Sequence, residues 1–322
     1  MKEFKSSLAG IFKQALDSRL SRGQGVDYHR NALMCFDEYC SAMFPTATTI
    51  TDEMVFGWPE FERSVGRDGG MRQKMMAVRD VGRILVATGV QSYIIPSNLI
   101  PRQGKSKIPY IMTDMELSDF FKALDSDQLC RRFDKTLLMS ARVLFRLLYT
   151  CGLRPGEGAQ LRIRDVNKDD GTVLVSNNKT HRERIVALSD DMRDLLSSHI
   201  NLIRSIFPKS EYVFVDSRGN VPCILRFRKL LQKCWRESHG GKCDSAIPRL
   251  RLYDFRHRFA STVMQKWNDD GKDAFRMIPY LRAYLGHCDF NSSLYYVHIL
   301  PDGILTSKGI DWAKANKPIP EA

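Results

Sequence analysis

Apolar residues in the first part of the chain recur at three- and four-residue intervals, the spacing that places them on one face of a helix. Val26, Leu33, Phe36, Tyr39 and Cys40 form one such stripe, opening after Gly23 and Gly25. Met54, Val55, Trp58 and Phe61 predict a short second helix. Met75, Val78, Val81, Gly82, Leu85 and Val86 predict another that stops near Gly89. Between these two, Gly66, Arg67, Asp68, Gly69 and Gly70 are turn chemistry. Residues 1–95 carry no alternating strand pattern and read as a small all-α domain. Pro96, Pro101, Gly104 and Pro109 then break the periodicity, so residues 96–112 read as an extended linker.

Beyond the linker, Thr113 and Glu116 stand at capping-box spacing before the apolar stripe Leu117, Phe120, Phe121, Leu124. Residues 134–150 are apolar on most sides (Leu137, Leu138, Val143, Leu144, Leu147, Leu148), which predicts a central helix that Gly152 ends. Arg154, Pro155, Gly156 and Glu157 open a further helix, with proline at a favoured first position. Thr172 to Val175 and Arg184 to Leu188 are strand-like runs around turn-forming residues 177–181, a hairpin. A helix over about 190–206, a strand-like run at 212–215, a basic helix at 224–235 and a loop at 239–248 follow. Leu252, Phe255, Phe259 and Val263 return to helical spacing, and residues from 301 onward form a tail. The expected fold class is therefore α+β, mainly α with a small antiparallel β-sheet.

Charge changes the picture. The 322 residues are 43% hydrophobic and 27% charged, an ordinary globular balance, but they carry a formal net charge of +12. Residues 1–105 hold 14 Lys and Arg against 11 Asp and Glu; the remainder holds 35 against 26, so most of the excess lies after the linker. Such a balance favours an anionic partner, nucleic acid being the commonest. Arg102, Lys105 and Lys107 make the linker basic with no acid to offset them, as in a strap across a duplex. Arg226, Arg228, Lys229 and Lys233 give the 224–235 helix either a phosphate-facing side or a plain solvated one. No apolar run is long enough to cross a bilayer, and the N-terminus lacks the apolar core of a secretory signal. The eight cysteines are scattered with no C-x-x-C pair, as expected of reduced thiols in a cytoplasmic protein. Cys234, His239, Cys243 and Cys288 follow no familiar zinc spacing, so no metal is expected.

Two arginines stand out chemically. Arg154 puts a cation at a helix N-terminus, against the dipole, and calls for an anion there: a local carboxylate or a bound phosphate. Arg256 lies three residues from Tyr253, hence beside it on a helix with a buried aromatic stripe. These sit in a longer series: Leu153-Arg154-Pro155-Gly156-Glu157, then Tyr253-x-x-Arg256, Leu285-Gly286-His287, and Tyr296-x-His298. In order and spacing the series resembles the catalytic domain of the tyrosine recombinases, or phage-type integrases, with Tyr253 where that family has histidine. The resemblance covers about residues 113–300 well and the first 110 only in size, position and helicity.

The resemblance implies a helical core-DNA-binding domain (1–95), a basic interdomain linker (96–112), a catalytic domain (113–300) and a tail (301–322) that packs on a neighbouring protomer. It implies a site of Arg154, Lys179 on the hairpin, Tyr253, Arg256, His287 and the nucleophile Tyr296, with Glu157 in support. It also implies double-stranded DNA as partner, a tetramer of the chain on DNA, and neither metal nor cofactor. Adjacent cations favour a phenolate, so the arginines that hold a phosphate also help activate a tyrosine. Two alternatives remain open at this level: a type IB topoisomerase-like enzyme that relaxes DNA, and a catalytically impaired DNA-binding protein of the same fold.

Overall fold

The computed structural model describes residues 3–67, 69–102, 108–126, 133–176, 183–240 and 242–286. The chain divides into two units, Met1–Lys107 and Ile108–Ala322. In the first unit, four helices bury one face each: α1 (Ala9–Ser21), α2 (Asp27–Met43), α3 (Asp52–Ser64) and α4 (Met71–Ala87). α3 starts where Thr51 accepts the Met54 amide at 3.3 Å, with Asp52 and Glu53 in the first turn to suit the dipole. Phe12, Phe36 and Trp58 meet at the centre, the last two edge to face with centroids 4.7 Å apart. α1 has no separate forecast in the sequence; it buries only Phe12, Ala15 and Leu16, a stripe too thin to stand out. At the far end, Arg72 Nη1 donates to Pro101 O at 2.8 Å and pins the end of the unit to α4.

The second unit is built around one helix. α5 (Asp114–Asp125) opens with the expected capping box, Thr113 and Glu116 bonding reciprocally. α6 (Lys135–Cys151) is buried on nearly every side, as its apolar girth requires. After it come the short α7 (Pro155–Ala159) and a three-stranded antiparallel sheet, β1 (Val166–Asn167), β2 (Thr172–Val175) and β3 (Arg184–Ala187), in the order β1-β2-β3. Val173 pairs with Val166 on one side and Val186 on the other. α8 (Asp190–Ile206), α9 (Ile224–Ser238), α10 (Asp254–Asp269) and α11 (Ala274–Leu285) complete it. α10 packs on α6, and a small cluster of Ala260, Met264, Ile278, Leu281 and Leu285 joins α10 to α11.

One expected strand is not one. Residues 212–215 form only an isolated antiparallel bridge, Tyr212 with Arg162. Val213, Phe214 and Val215 are fully buried, so the apolar run reports burial rather than a ladder. Val215 takes its bonds from a side chain: Ser140 Oγ, on α6, donates to its carbonyl at 2.9 Å and accepts its amide at 3.2 Å. β1, two residues long, left no pattern in the sequence to read.

Candidate active site

Three segments distant in sequence meet at the C-terminal end of α6. The first is the turn into α7. Gly152 closes α6 at φ 61°, and a Cβ there would collide with the Phe259 ring of α10, so backbone and packing both demand glycine. The turn delivers Arg154 to the N-cap of α7 and Glu157 to its first turn. The second segment is the start of α10, with Tyr253 at the N-cap and Arg256 one turn in. The third is the end of α11, Leu285 followed by Gly286 at φ 66°.

Arg256 has 0% of its surface exposed, extreme for a permanent cation. Its charge is met by backbone dipoles. Nη1 donates to Gly152 O at 2.8 Å and Nη2 to Leu285 O at 2.6 Å, the carbonyl-rich ends of α6 and α11. Helix C-termini carry partial negative charge, so a guanidinium bridging two of them is favourably placed. The same guanidinium lies 5.9 Å from the centre of the Tyr253 ring.

Arg154 binds the next carbonyl along: Nη2 donates to Gly286 O at 2.7 Å. Its Nη1 donates to Glu157 Oε1 at 2.7 Å, and its backbone amide to Glu157 Oε2 at 3.0 Å. Of the two anions the sequence left open for this cation, the structure contains the local carboxylate. Burial opposes the Arg154 charge, but Glu157 and then the Tyr253 side chain outweigh it, raising the arginine's pKa further. Glu157 is buried too, and burial alone would raise its carboxyl. Arg184 and Arg154 outweigh that and hold it below the usual carboxylate range. Arg184, on β3, grips the carboxylate with two nitrogens, Nη1 to Oε1 at 3.1 Å and Nη2 to Oε2 at 2.7 Å. His257 follows Arg256, its ring 5.1 Å from that of Tyr253. Burial, then Arg251 and Arg256, bring its pKa down to about 4, so it is neutral near pH 7.

Arg154, Glu157, Tyr253 and Arg256 are thus brought together. Lys179, His287 and Tyr296 lie outside the described residues, as do Lys105 and Lys107. Arg102, Arg228 and Lys229 are exposed. Arg226 is engaged within the chain, with Nη1 on Asp216 Oδ2 at 2.7 Å and Nη2 on Asp134 Oδ2 at 3.1 Å. Arg184 was not among the residues read as functional. Its signal was there: alternation puts it on the same strand face as Val186, which is fully buried. Among the described residues no group of His, Cys, Asp or Glu is arranged to hold a metal ion. Cys234 is buried, its thiol pushed up to about 12, and Cys243 is exposed, while Cys288 lies outside the described residues.

Chemically, this is a cluster of guanidiniums beside a phenol, groups suited to holding the oxygens of a phosphate. The sequence pattern of the phage integrase family matches residues 111–302. An integrase/recombinase of Sinorhizobium fredii is 26% identical over 311 residues, covering 92% of this chain and 93% of its own. The tyrosine recombinase XerC of Lactobacillus leichmannii is 22% identical over 233 residues, covering 71% of this chain and 72% of its own. A solved lambda integrase tetramer bound to a Holliday junction shares the fold, with a TM-score of 0.58 at 16% identity over 98% of this chain and 80% of that one. The family match spans more than half of the chain and includes every residue of the cluster just described: this chain belongs to the phage integrase family.

Proposed function

We propose that the protein is a site-specific DNA recombinase that cuts and rejoins DNA through a phosphotyrosyl link. The observation that carries this reading is the convergence of Arg154 and Arg256 on consecutive carbonyls beside Tyr253, next to the Leu-Gly-His segment. Tyr296, having lost its phenol proton to solvent under the influence of the neighbouring cations, attacks the scissile phosphorus, forming an O–P bond as the bond to the 5′ oxygen breaks. Lys179 gives that leaving oxygen its proton. Arg154 and Arg256 offset the charge that builds on the non-bridging oxygens. His287 donates a hydrogen bond or exchanges a proton, and Tyr253 donates a hydrogen bond in place of the family's histidine. A 5′ hydroxyl of another strand then attacks the link and returns the phenol, so phosphodiester energy is conserved and ATP is unnecessary.

In this reading the unit Met1–Lys107 and the catalytic unit both hold the duplex, joined by the basic segment with Arg102, Lys105 and Lys107. Arg228 and Lys229 face phosphates from α9, and Arg226 adds its charge while bracing Asp134 and Asp216. The lambda integrase likeness supports a tetramer on DNA; that residues 301–322 reach a neighbour in it rests on the family resemblance alone. No helix among the described residues is long and apolar enough to cross a membrane, which suits a DNA-associated cytoplasmic protein.

The test uses nicked duplexes of randomised sequence, in which loss of a short fragment traps any covalent adduct. The parent chain is expected to form an adduct on a defined subset of sequences, with the DNA mapped to Tyr296. Tyr296→Phe is expected to bind DNA without an adduct, and Tyr295→Phe to retain it. DNA binding with no adduct from the parent would instead identify a catalytically impaired protein of this fold. An adduct on Tyr295 would move the nucleophile.

A further inference from the structure

We propose that Arg184 is a positioning residue of this site: it holds the Glu157 carboxylate so that Arg154 faces the reacting phosphate as a net cation. The inference rests on the recombinase reading above. Three observations on this chain carry it. Arg184 is itself nearly buried, its side chain 9% exposed, and its two terminal nitrogens take both Glu157 oxygens. It packs against Gly286, where an added Cβ would sit 3.2 Å from Nη1 and 3.3 Å from Cδ. And the carbonyl of Gly286 is the one that accepts from Arg154 Nη2. One side chain therefore sets both partners of Arg154.

Charge counting shows what is at stake. Two guanidiniums share one carboxylate, which leaves the node a net positive charge. Without Arg184, Arg154 and Glu157 form a neutral pair at 2.7 Å, and the guanidinium is drawn toward its own carboxylate. With the Glu157 side chain 3% exposed and that of Arg184 9%, that cancellation weakens the attraction for a phosphate far more than it would in water. The lowered carboxyl of Glu157, with Arg184 the leading stabilising cause, agrees with this geometry.

The experiment measures single-turnover adduct formation by the full chain on the duplexes recovered from the nicked random pool, with DNA affinity measured alongside. Arg184→Gln is expected to slow adduct formation about 100-fold while affinity changes only a few-fold, because one phosphate contact of many is altered. Arg184→Lys keeps the charge and loses the fork, and is expected to cost about tenfold. The decisive variant is Glu157→Gln with Arg184→Gln. Removing the carboxylate as well restores the net positive charge, so the double variant is expected to be about tenfold faster than Arg184→Gln alone. For the same reason, the rate of Arg184→Gln relative to the parent is expected to climb as pH falls and Glu157 protonates. A purely structural arginine predicts neither effect. A parental rate for Arg184→Gln, or a double variant no faster than the single, overturns the assignment while the recombinase reading stands. A parent chain that forms no adduct removes the reading and this inference with it. Should Arg184→Gln fail to fold, Arg184→Lys decides: a loss of about tenfold with affinity little changed supports the assignment, and a parental rate overturns it.

Discussion

Arg256 and Arg154, given one role toward phosphate in the proposed reaction, differ in what they do for the fold. Arg256 neutralises the ends of two helices from a fully buried position, whereas Arg154 sits at a turn beside a carboxylate that Arg184 also holds. Arg256→Ala is therefore expected to lower unfolding free energy by about 3 kcal/mol, two buried carbonyls losing a charged donor. Arg154→Ala is expected to cost about 1 kcal/mol, since Glu157 keeps its fork. Urea unfolding of the two variants checks this difference. Both are expected to lose adduct formation by roughly 100-fold or more, because in the proposed reaction each offsets charge on the reacting phosphate. Tyr253 belongs to the same scale. Tyr253→Phe removes the hydroxyl that reaches Arg154 and is expected to slow adduct formation more than Tyr253→His, which still donates a hydrogen bond. Equal rates for Tyr253→Phe and parent would leave the ring as packing alone.

At the scale of elements, the start of α6 shows how one side chain joins several. Asp134 caps the helix, accepting the Thr136 amide at 2.9 Å and the Leu137 amide at 3.2 Å. Its other oxygen accepts from the Ser217 amide and Arg226, both at 3.1 Å. Burial works against its charge, but the Ser217, Leu137 and Arg226 bonds prevail and bring the pKa down to about 2. A lowered folded pKa means stability that is present at neutral pH and lost as pH falls from the unfolded value of about 4 toward 2. Asp134→Ala is expected to cost about 1–2 kcal/mol near pH 7, the gap to the parent closing across that acid window. Thermal unfolding followed from pH 7 to pH 2 checks it; a gap constant with pH would mean that the ionised cap is not what matters. The same contacts explain why a helix read as basic is less free than its composition suggests: Arg226 is held by two carboxylates, while Arg228 and Lys229 face solvent.

At the scale of the whole molecule, the +12 charge decides how the protein meets its partner. Phosphate contacts release counterions, so affinity for duplex DNA is expected to drop by roughly a thousandfold between about 50 and about 200 mM salt. Binding measured at several salt concentrations tests this, and a flat response would count against a phosphate-tracking surface. In the proposed reaction the cations that offset the transition-state charge belong to the chain, so adduct formation is expected to continue in EDTA. Loss of activity restored by magnesium would point to a different chemistry.

What the sequence determined by itself is local. Capping at Thr113 and Asp134, the glycine that stops α6, the apolar girth of α6 and the order of the motifs are written in residues a few positions apart. Local physics is enough for them, and α5, α6 and α8 appear where the pattern put them. What only the tertiary structure decided are questions of partner and direction. Ile185 is 66% exposed while Arg184 turns inward; alternation places Arg184 on the inner face, but only the packing shows what keeps a charge there, a carboxylate from α7. Val213, Phe214 and Val215 look like a strand, yet the amide and carbonyl of Val215 bond to the side chain of Ser140, 75 residues before it. The burial of Arg256 likewise depends on carbonyls 104 and 29 residues away. Each of these is settled by which surfaces meet when the helices pack, and only then do the ends of α6 and α11 form one site with the start of α10.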